Sequence, residues 1–327
     1  MPAFFSTVPG AILLLIVGFV LLIKGADVFV EDSSSLAKRF KVPSLIIGLT
    51  IVAMGTSLPE TAVSVSASIT NNNALSISNV VGSNIFNMMI VIGVCAVLAS
   101  VPVQKKTLKQ EFPFSIFCAL LLAGLGYFGG TQLGRVDGVI MLVLFAAYIT
   151  FLIYSAKKSI AEGKEVEDEN LEAAEEMKIL PLPKSIIYVV LGIAAIAFGG
   201  DWTVDAASTL AAAAGVSQTL IGLTIVSIST SLPELVTSVV AARKKEVDLA
   251  LGNAIGSNIF NILMVLGLSS VISPLPLQIV DFIDMAVLVA FSLITWLMAW
   301  RKKKLGKPEG IIMIVLYIGY VVYICLR

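Results

Sequence analysis

The sequence predicts an all-α integral membrane protein with ten transmembrane helices, built as two inverted five-helix repeats whose broken helices meet at the membrane midplane. Three observations lead to this fold class. The composition is too apolar for a soluble domain, the chain contains ten apolar runs of span length, and long segments recur at one fixed offset of 174 residues. Such a chain crosses a membrane repeatedly and contains two copies of one structural unit.

The composition places the chain in lipid. Of its 327 residues, 57% are hydrophobic and 13% are charged, with a mean hydropathy of +0.97, whereas soluble domains have about 45–50% apolar and roughly 25% charged residues. The formal net charge is zero, and no basic cluster indicates a nucleic-acid partner. The chain has no histidine, and Cys95, Cys118 and Cys325 lie in or at the end of apolar runs without CxxC spacing. We therefore expect buried free thiols, no zinc-type site and no cofactor.

Ten apolar runs reach the length of about 20 residues that a spanning helix needs. They lie at residues 10–30, 43–70, 77–100, 112–130, 135–155, 184–212, 218–242, 248–272, 280–300 and 309–326. The first run has no Lys or Arg before it, so we expect a retained span rather than a secretory signal.

One long polar segment interrupts these runs. Residues 157–178 read KKSIAEGKEVEDENLEAAEEMK and are followed by the breaker PLP at 181–183. The segment divides the chain into a first five-helix repeat at 1–156, an acidic linker at 157–183 and a second five-helix repeat at 184–327. We interpret the linker as a solvated tether, because it lacks the Asp-x-Asp and Gly pattern of a calcium-binding loop.

Lys and Arg residues predict the orientation, because positively charged loops stay on the cytoplasmic side. Alternate connections carry Lys38, Arg39, Lys41, Lys105, Lys106, Lys109, Lys157, Lys158, Lys164, Lys178, Lys184, Arg243, Lys244, Lys245, Arg301, Lys302, Lys303, Lys304 and Lys307. The opposite connections and ends carry only Arg135 and Arg327. We therefore expect a multi-pass protein of the cell membrane with both termini outside and the linker in the cytoplasm.

Two motifs recur in the two halves. IIGLTIVAMGTSLPE at 46–60 is matched by LIGLTIVSISTSLPE at 220–234, and VVGSNIFN at 80–87 by AIGSNIFN at 254–261, both at an offset of 174. With five spans in each half, the second copy enters the membrane from the side opposite to the first. Inverted repeats of this kind are typical of secondary transporters, which bind substrate at the midplane between the repeats.

The GTSLPE stretch at 55–60 places a carboxylate in the middle of a span. Pro59 has no N–H and disfavours helical geometry at the preceding residue, so we expect the helix to break around Gly55 to Leu58 and to restart at Pro59. Carbonyl groups freed by a break are tolerated in a membrane only where they line a cavity or are buried in protein. Together with hydroxyl groups and a carboxylate they form an all-oxygen site, which suits hard cations such as Ca²⁺.

The candidate ligands at the two breaks are matched pairs. They are Thr56 with Thr230, Ser57 with Ser231, and Glu60 with Glu234. Two carboxylates would offset the two charges of one calcium ion. The alternative is a capping box, in which Ser57 caps the restarting helix and Glu60 reaches back to the N-cap N–H. A charge at the centre of a span costs at least about 2.5–3.5 kcal/mol, which favours the cation site.

The GSNIFN motif supplies further neutral oxygens. Ser83 and Asn87 are four residues apart, as are Ser257 and Asn261, so each pair lies on one helical face. We interpret Asn87 and Asn261 as cation ligands. In the same motif we interpret Asn84 and Asn258 as inter-helix hydrogen-bonding residues, and Gly82 and Gly256 as points of close helix approach. Two matched acidic pairs, Asp27 and Glu31 with Asp201 and Asp205, are interpreted as solvated residues near helix ends.

The paired motifs resemble the α-repeats of the cation/calcium antiporter superfamily, especially prokaryotic sodium/calcium exchangers. The resemblance covers essentially the whole chain, with the motif regions at 46–94 and 220–268. It implies that spans two, three, seven and eight hold the ions while spans one and six move against them. It also implies that Glu60 and Glu234 are shared by calcium and sodium, that the matched Thr, Ser and Asn residues bind ions, and that backbone carbonyls near Ala53 and Ser227 contribute.

Two positions depart from the family pattern. Ser229 stands where Gly is usual before the Thr-Ser pair, and Asn261 stands where sodium/calcium exchangers often carry Asp. We still expect cation exchange, but these two departures affect which ions are exchanged.

The expected function is secondary active exchange of calcium for sodium by alternating access. The expected partners are the calcium and sodium ions and the lipid bilayer, and the sequence identifies no protein partner. A proton-coupled or sodium-only exchanger remains an alternative, because the two glutamates could also act by protonation. A cation channel is a further alternative that the inverted repeat disfavours. We do not expect an enzyme, since the chain has no histidine and no nucleophile or metal constellation.

Overall fold

The protein is described here by a computed structural model, which covers residue 4 and residues 7–161, 180–215 and 229–326, with the backbone alone for 159–161. Its first half comprises α1 (Val8–Phe40), α2 (Ser44–Ile47), a π-helical turn (Gly48–Val52), α3 (Ala53–Thr56), α4 (Leu58–Ile69), α5 (Asn73–Phe86), a π-helical turn (Asn87–Val91), α6 (Ile92–Leu98), β1 (Val101–Pro102), a π-helical turn (Thr107–Glu111), α7 (Phe112–Phe128), β2 (Gln132–Leu133) and α8 (Arg135–Ala161).

The second half repeats much of this order. It comprises α9 (Leu182–Ala213), α10 (Leu232–Arg243), α11 (Val247–Phe260), a π-helical turn (Asn261–Leu266), α12 (Gly267–Ile272), β3 (Leu275–Pro276), α13 (Ile279–Lys302), β4 (Lys304–Leu305) and α14 (Lys307–Leu326).

The described residues contain nine segments that can span a membrane. Eight are helices that are long and apolar enough to do so, and Ser44–Thr56 with Leu58–Ile69 forms a ninth, bent by 49°. With the bent pair taken as one span, these segments coincide with nine of the ten predicted spans in length and composition. The tenth, predicted at 218–242, includes residues 218–228, which lie outside the described part of the chain, and its remainder is α10.

The first span extends ten residues beyond its predicted end. In the sequence the apolar run ends near Val30, but the helix continues to Phe40 because Asp32 and the three serines after it are buried in the protein. Lys41 then ends the helix in a left-handed conformation (φ 53°), with its N–H donating to the carbonyls of Ala37 and Lys38. At about 1.5 Å per residue, α1 is about 50 Å long and exceeds the roughly 30 Å hydrocarbon core.

The most buried spans are the two that carry the GSNIFN motifs, Asn73–Leu98 and Val247–Ile272. The surrounding spans expose many large apolar side chains, as expected where a surface faces lipid rather than water. Cys95 and Cys118 are buried as predicted, but Cys325 is exposed, because it lies in the last turn of the outer helix α14. The candidate ligands therefore lie at the centre of the bundle.

Two short strand pairs join the halves. β1 pairs with β4 and β2 pairs with β3, both antiparallel. Val101 in β1 and Leu275 in β3 are separated by the same offset of 174 residues that relates the motifs. Each pair therefore joins a segment of one half to a segment of the other.

The two longest helices, α1 and α9, pack against each other in antiparallel directions through glycines. A Cβ atom added at Gly25 would lie 2.8 Å from Ala195 Cβ, and one added at Gly192 would lie 2.8 Å from Phe29 Cβ. Such distances are too short for a real Cβ, so glycine is needed for the two backbones to approach this closely.

Candidate cation-binding site

The break in the second span lies where the sequence predicts it. α3 ends at Thr56, Ser57 has φ −85° and ψ 13°, and α4 restarts at Leu58, one residue before Pro59. In the second half α10 restarts at Leu232, in the same position relative to Pro233. Thr56 and Ser57 at the break and Glu60 after it are buried in the bundle.

The capping-box alternative is wrong for both breaks. Ser57 and Ser231 precede the restarting helices, but neither side chain makes a capping hydrogen bond. Ser57 Oγ instead donates to Glu234 Oε1 at 2.8 Å, and Ser231 Oγ donates to Glu60 Oε1 at 3.4 Å. Each serine therefore binds the carboxylate of the opposite half.

Both carboxylates are fully buried, with 0% of either residue exposed. Within the described part of the chain, Glu60 Oε2 and Glu234 Oε2 have no hydrogen-bond partner. An ionised carboxylate buried without compensation is very costly, so this pair requires a cation or protons. Two carboxylates held together with free oxygens are the strongest sign of a cation site.

The neutral ligands predicted from GSNIFN are also buried and contribute free oxygens. Asn87 and Asn261 are the first residues of the π-helical turns after α5 and α11. Neither the Asn87 side chain nor Asn261 Oδ1 has a hydrogen-bond partner among the described residues. An amide oxygen without a donor is a suitable ligand for a hard cation.

The serines of the motif lie at the same site. Ser257 Oγ is 3.4 Å from Glu234 Oε1 and 3.5 Å from the Ala53 carbonyl oxygen. Ser83 Oγ is 3.3 Å from Thr230 Oγ1. Ser83 therefore lies against the broken helix of the second half, and Ser257 lies against the broken helices of both halves.

The predicted backbone ligands have different outcomes. The Ala53 carbonyl, which the resemblance implies as a ligand, accepts the Ser57 N–H at 3.1 Å. A carbonyl oxygen has a second lone pair, so Ala53 can still face a cation. Ser227 lies outside the described residues.

Asn84 and Asn258 hydrogen-bond across the helices as predicted. Asn84 Nδ2 donates to the Asn258 carbonyl at 3.1 Å, and Asn258 Nδ2 donates to the Asn84 carbonyl at 3.1 Å. Asn261 Nδ2 also donates to Asn84 Oδ1 at 3.1 Å. The reciprocal bonds join α5 to α11 between equivalent residues of the two halves.

The predicted close approach at glycine is confirmed for Gly256, where an added Cβ would lie 2.8 Å from Ala53 Cβ. At Gly82 the described residues place no heavy atom within 4 Å of an added Cβ. The residues equivalent to the neighbours of Gly256 are Leu223 and Ser227, which lie outside the described part.

Two residues of this centre were missed by sequence reasoning. Asn79 and Asn253 lie four residues before Ser83 and Ser257, at the same offset of 174. Asn253 is fully buried, and both side chains hydrogen-bond to the broken helices. Their recurrence at the repeat offset was the signal that could have identified them.

The acidic pairs outside the centre are more exposed. Asp201, Asp205 and Glu31 are exposed and Asp27 is half-buried, as predicted for solvated residues, but the prediction that they lie near helix ends is wrong, because α1 continues to Phe40 and α9 to Ala213. Asp27 and Glu31 also pair with Lys244, which the sequence did not predict.

Comparison with known proteins gives consistent matches over nearly the whole chain. A family model described as sodium/calcium exchanger protein matches residues 10–154 and 184–326. The putative antiporter CaxA of Alkalimonas amylolytica is 39% identical, over 95% of this chain and 97% of that protein. The sodium/calcium exchanger MaX1 of Methanosarcina acetivorans is 34% identical, over 95% of this chain and 97% of its own.

Solved structures of the sodium-calcium exchanger NCX_Mj share the fold. The structure soaked with zero Na⁺ and Ca²⁺ superposes with a TM-score of 0.83 and 32% identity, covering 98% of this chain and 100% of that one. The structure soaked with 2.5 mM Na⁺ and 0.1 mM Ca²⁺ gives a TM-score of 0.81 and 31% identity, covering 95% and 97%.

Proposed function

Because the chain belongs to the sodium/calcium exchanger family, we propose that it is a secondary active antiporter that exchanges calcium for sodium by alternating access. The observation that carries this proposal is the crossed pair of buried carboxylates, in which Glu60 and Glu234 each receive a hydrogen bond from the serine of the opposite half. Their free oxygens are available to bind cations.

The proposed ligands come from both breaks and both GSNIFN motifs. They are Glu60, Glu234, Thr56, Thr230, Ser57, Ser231, Asn87, Asn261, Ser83, Ser257 and the carbonyls of Ala53 and Ser227. The two carboxylates would neutralise one calcium ion or two sodium ions. Competition between calcium and sodium for one site would couple their transport. After it releases one ion, the protein must bind the other before the site can open to the opposite side of the membrane.

The ten-helix inverted repeat is part of the proposal. Its support comes from contacts that recur with the halves exchanged, namely the reciprocal bonds of Asn84 and Asn258 and the strand pairs β1–β4 and β2–β3. In an inverted repeat the half-helices α4 and α10 extend from their own breaks toward opposite sides of the membrane. The Lys and Arg distribution supports external termini, a cytoplasmic linker at 157–183 and insertion in the cell membrane.

Alternating access is supported by unequal packing of the two half-helices. α1 packs along α10, whereas the described residues show no comparable packing of α9 along α4. Leu58 at the start of α4 is 48% exposed, while its equivalent Leu232 is half-buried. One side of the site is thus covered and the other is more open, and exchange requires these roles to reverse.

Calcium uptake into proteoliposomes, with sodium, potassium and proton gradients applied separately, tests the function. We expect only an outward sodium gradient to drive uptake. Uptake driven by a proton gradient alone would replace sodium coupling with proton coupling, and sodium exchange without calcium uptake would indicate a sodium-only exchanger. Sustained calcium current at fixed voltage without a counter-ion would indicate a channel and contradict antiport.

A further inference from the structure

The amide of Asn79 is anchored on the half-helix that carries Glu60. Its Nδ2 donates to Ser64 Oγ at 3.0 Å and approaches the Glu60 carbonyl oxygen at 3.4 Å. Asn253 makes the same bonds in the other half, to Ser238 Oγ at 2.9 Å and to the Glu234 carbonyl at 3.4 Å. Because the donor side of each amide is fixed in this way, the position of its oxygen is fixed as well.

Each amide oxygen then accepts a hydrogen bond from the opposite half. Thr56 Oγ1 donates to Asn253 Oδ1 at 3.0 Å, and Thr230 Oγ1 donates to Asn79 Oδ1 at 3.2 Å. These contacts join residues that are 197 and 151 positions apart in the chain. The arrangement occurs twice at the repeat offset, and both copies end on a threonine of the proposed cation site.

The direction of the threonine hydroxyl decides whether it can bind a cation. A hydroxyl has one hydrogen and two lone pairs, and only the lone pairs can face a positive ion. Thr56 Oγ1 donates to Asn253 Oδ1 at 3.0 Å or to the Ala53 carbonyl at 3.4 Å, and it also lies near the Glu234 carboxylate. The shorter contact directs the hydrogen to Asn253, which leaves the Thr56 lone pairs and the free lone pair of Ala53 available to the ion.

We propose that Asn79 and Asn253 are positioning residues that direct the hydroxyls of Thr230 and Thr56, each across the boundary between the halves. The inference rests on the proposed cation site and adds to it two residues that do not touch the ion. Without the amide of Asn253, the Thr56 hydroxyl would donate to the Ala53 carbonyl and take up the lone pair that this carbonyl offers to the ion. Without the amide of Asn79, Thr230 would lose the acceptor that holds its hydrogen away from the ion.

Double-mutant cycles on calcium binding to the purified full-length protein test this inference. The matched pairs are Asn253→Ala with Thr56→Val and Asn79→Ala with Thr230→Val. The crossed pairs, Asn253→Ala with Thr230→Val and Asn79→Ala with Thr56→Val, combine residues that make no direct contact and serve as controls. Thermal unfolding of each variant in detergent checks that it is folded.

We expect each single change to weaken calcium binding by about three- to tenfold, the worth of one hydrogen bond. In the matched pairs the double variant should bind calcium about as tightly as the single variant with the lower calcium affinity. In the crossed pairs the two losses should multiply. The positioning role would be overturned if the losses of calcium affinity multiply in all four pairs. It would also be overturned if all four pairs show the same coupling energy.

The outcome separates this inference from the proposed function. If the folded wild type binds calcium and the matched pairs show no coupling, the inference fails and the calcium site stands. If the wild type binds sodium but not calcium, calcium exchange fails, and the same cycles with sodium as the titrant decide the positioning role. A wild type that binds neither cation contradicts both.

Discussion

At the scale of residues, Glu60 and Glu234 determine which ions the centre can hold. Both carboxylates are fully buried and their surroundings are neutral hydroxyl and amide groups. One calcium ion or two sodium ions would leave the centre formally neutral. A third sodium ion would add an uncompensated charge, which is costly in a buried site.

We expect Asn261→Asp to raise the number of sodium ions exchanged per calcium ion, because a third acid would compensate a third sodium. The change also replaces the amide that donates to Asn84 Oδ1 at 3.1 Å with an acceptor, which favours a cation nearby. The number of sodium ions exchanged per calcium ion is measured from calcium flux in voltage-clamped proteoliposomes at a fixed sodium gradient.

Wild-type flux should not depend on voltage, as for two sodium ions per calcium. The Asn261→Asp flux should reverse at the voltage for three. The same reversal potential in both proteins, at the value for three sodium ions, would show that the missing acid does not limit coupling.

The sequence predicts the ligands better than it predicts their partners. Glu60 and its equivalents stand out because a carboxylate in an apolar run is unusual, and the buried positions of the described ligands agree with that reading. The crossed bonds of Ser57 and Ser231, and the roles of Asn79 and Asn253, could not be predicted in the same way. Helical periodicity shows which residues share a face, but not which distant side chain lies opposite.

At the scale of elements, one ion-pair cluster fastens α1 to the cytoplasmic end predicted for α10. Lys244 Nζ lies 3.3 Å from Glu31 Oε2, 3.2 Å from the Asp27 carbonyl and 3.7 Å from Asp27 Oδ1. The residue equivalent to Lys244 in the first half is Thr70, which carries no charge. The cluster therefore stabilises only the arrangement in which α1 covers α10.

We expect Lys244→Gln to raise the population that is open on the predicted cytoplasmic side by about two- to fivefold, since partly exposed ion pairs are worth up to about 1 kcal/mol. The rate at which a cytoplasmic reagent labels a cysteine placed at Val240, in protein lacking the native cysteines, measures that population. Arg243→Gln is the matched control, because it removes an exposed neighbouring charge and leaves the cluster intact. Unchanged labelling, or an equal increase in the control, would refute this role.

Hydropathy predicted the described spans because their outer faces meet lipid and must be apolar. Hydropathy did not predict that α1 continues past Val30, because the residues that follow are polar and therefore end the apolar run, although they are buried in the protein. The π-helical turns at Asn87 and Asn261 also have no pattern in a single sequence. They depend on how the helices pack around the two asparagines.

At the scale of the whole molecule, the Lys and Arg distribution predicts a cytoplasmic linker and external termini. We expect a cysteine introduced at Glu165, in a background without the native cysteines, to be labelled by impermeant reagents only from the cytoplasmic side. A cysteine at Thr131, in the connection predicted to be external, gives the opposite control. Labelling at residue 165 from outside intact cells would reverse the orientation and leave the repeat intact.

The central claim is that Glu60 and Glu234 form one site that binds calcium and sodium in turn. Calcium titrations of the purified protein at increasing sodium concentration test it, with Glu60→Gln, Glu234→Gln and Glu111→Gln beside the wild type. Glu111 is the matched control, because it is 1% exposed within a span but contacts Tyr148 instead of the site.

In these titrations sodium should raise the apparent calcium Kd of the wild type and of Glu111→Gln alike. Glu60→Gln and Glu234→Gln should each weaken calcium binding by about 3–5 kcal/mol, or roughly two to four orders of magnitude, because half of the site's charge is lost. Wild-type calcium affinity in either folded site variant, or calcium binding that sodium does not affect, would contradict the claim.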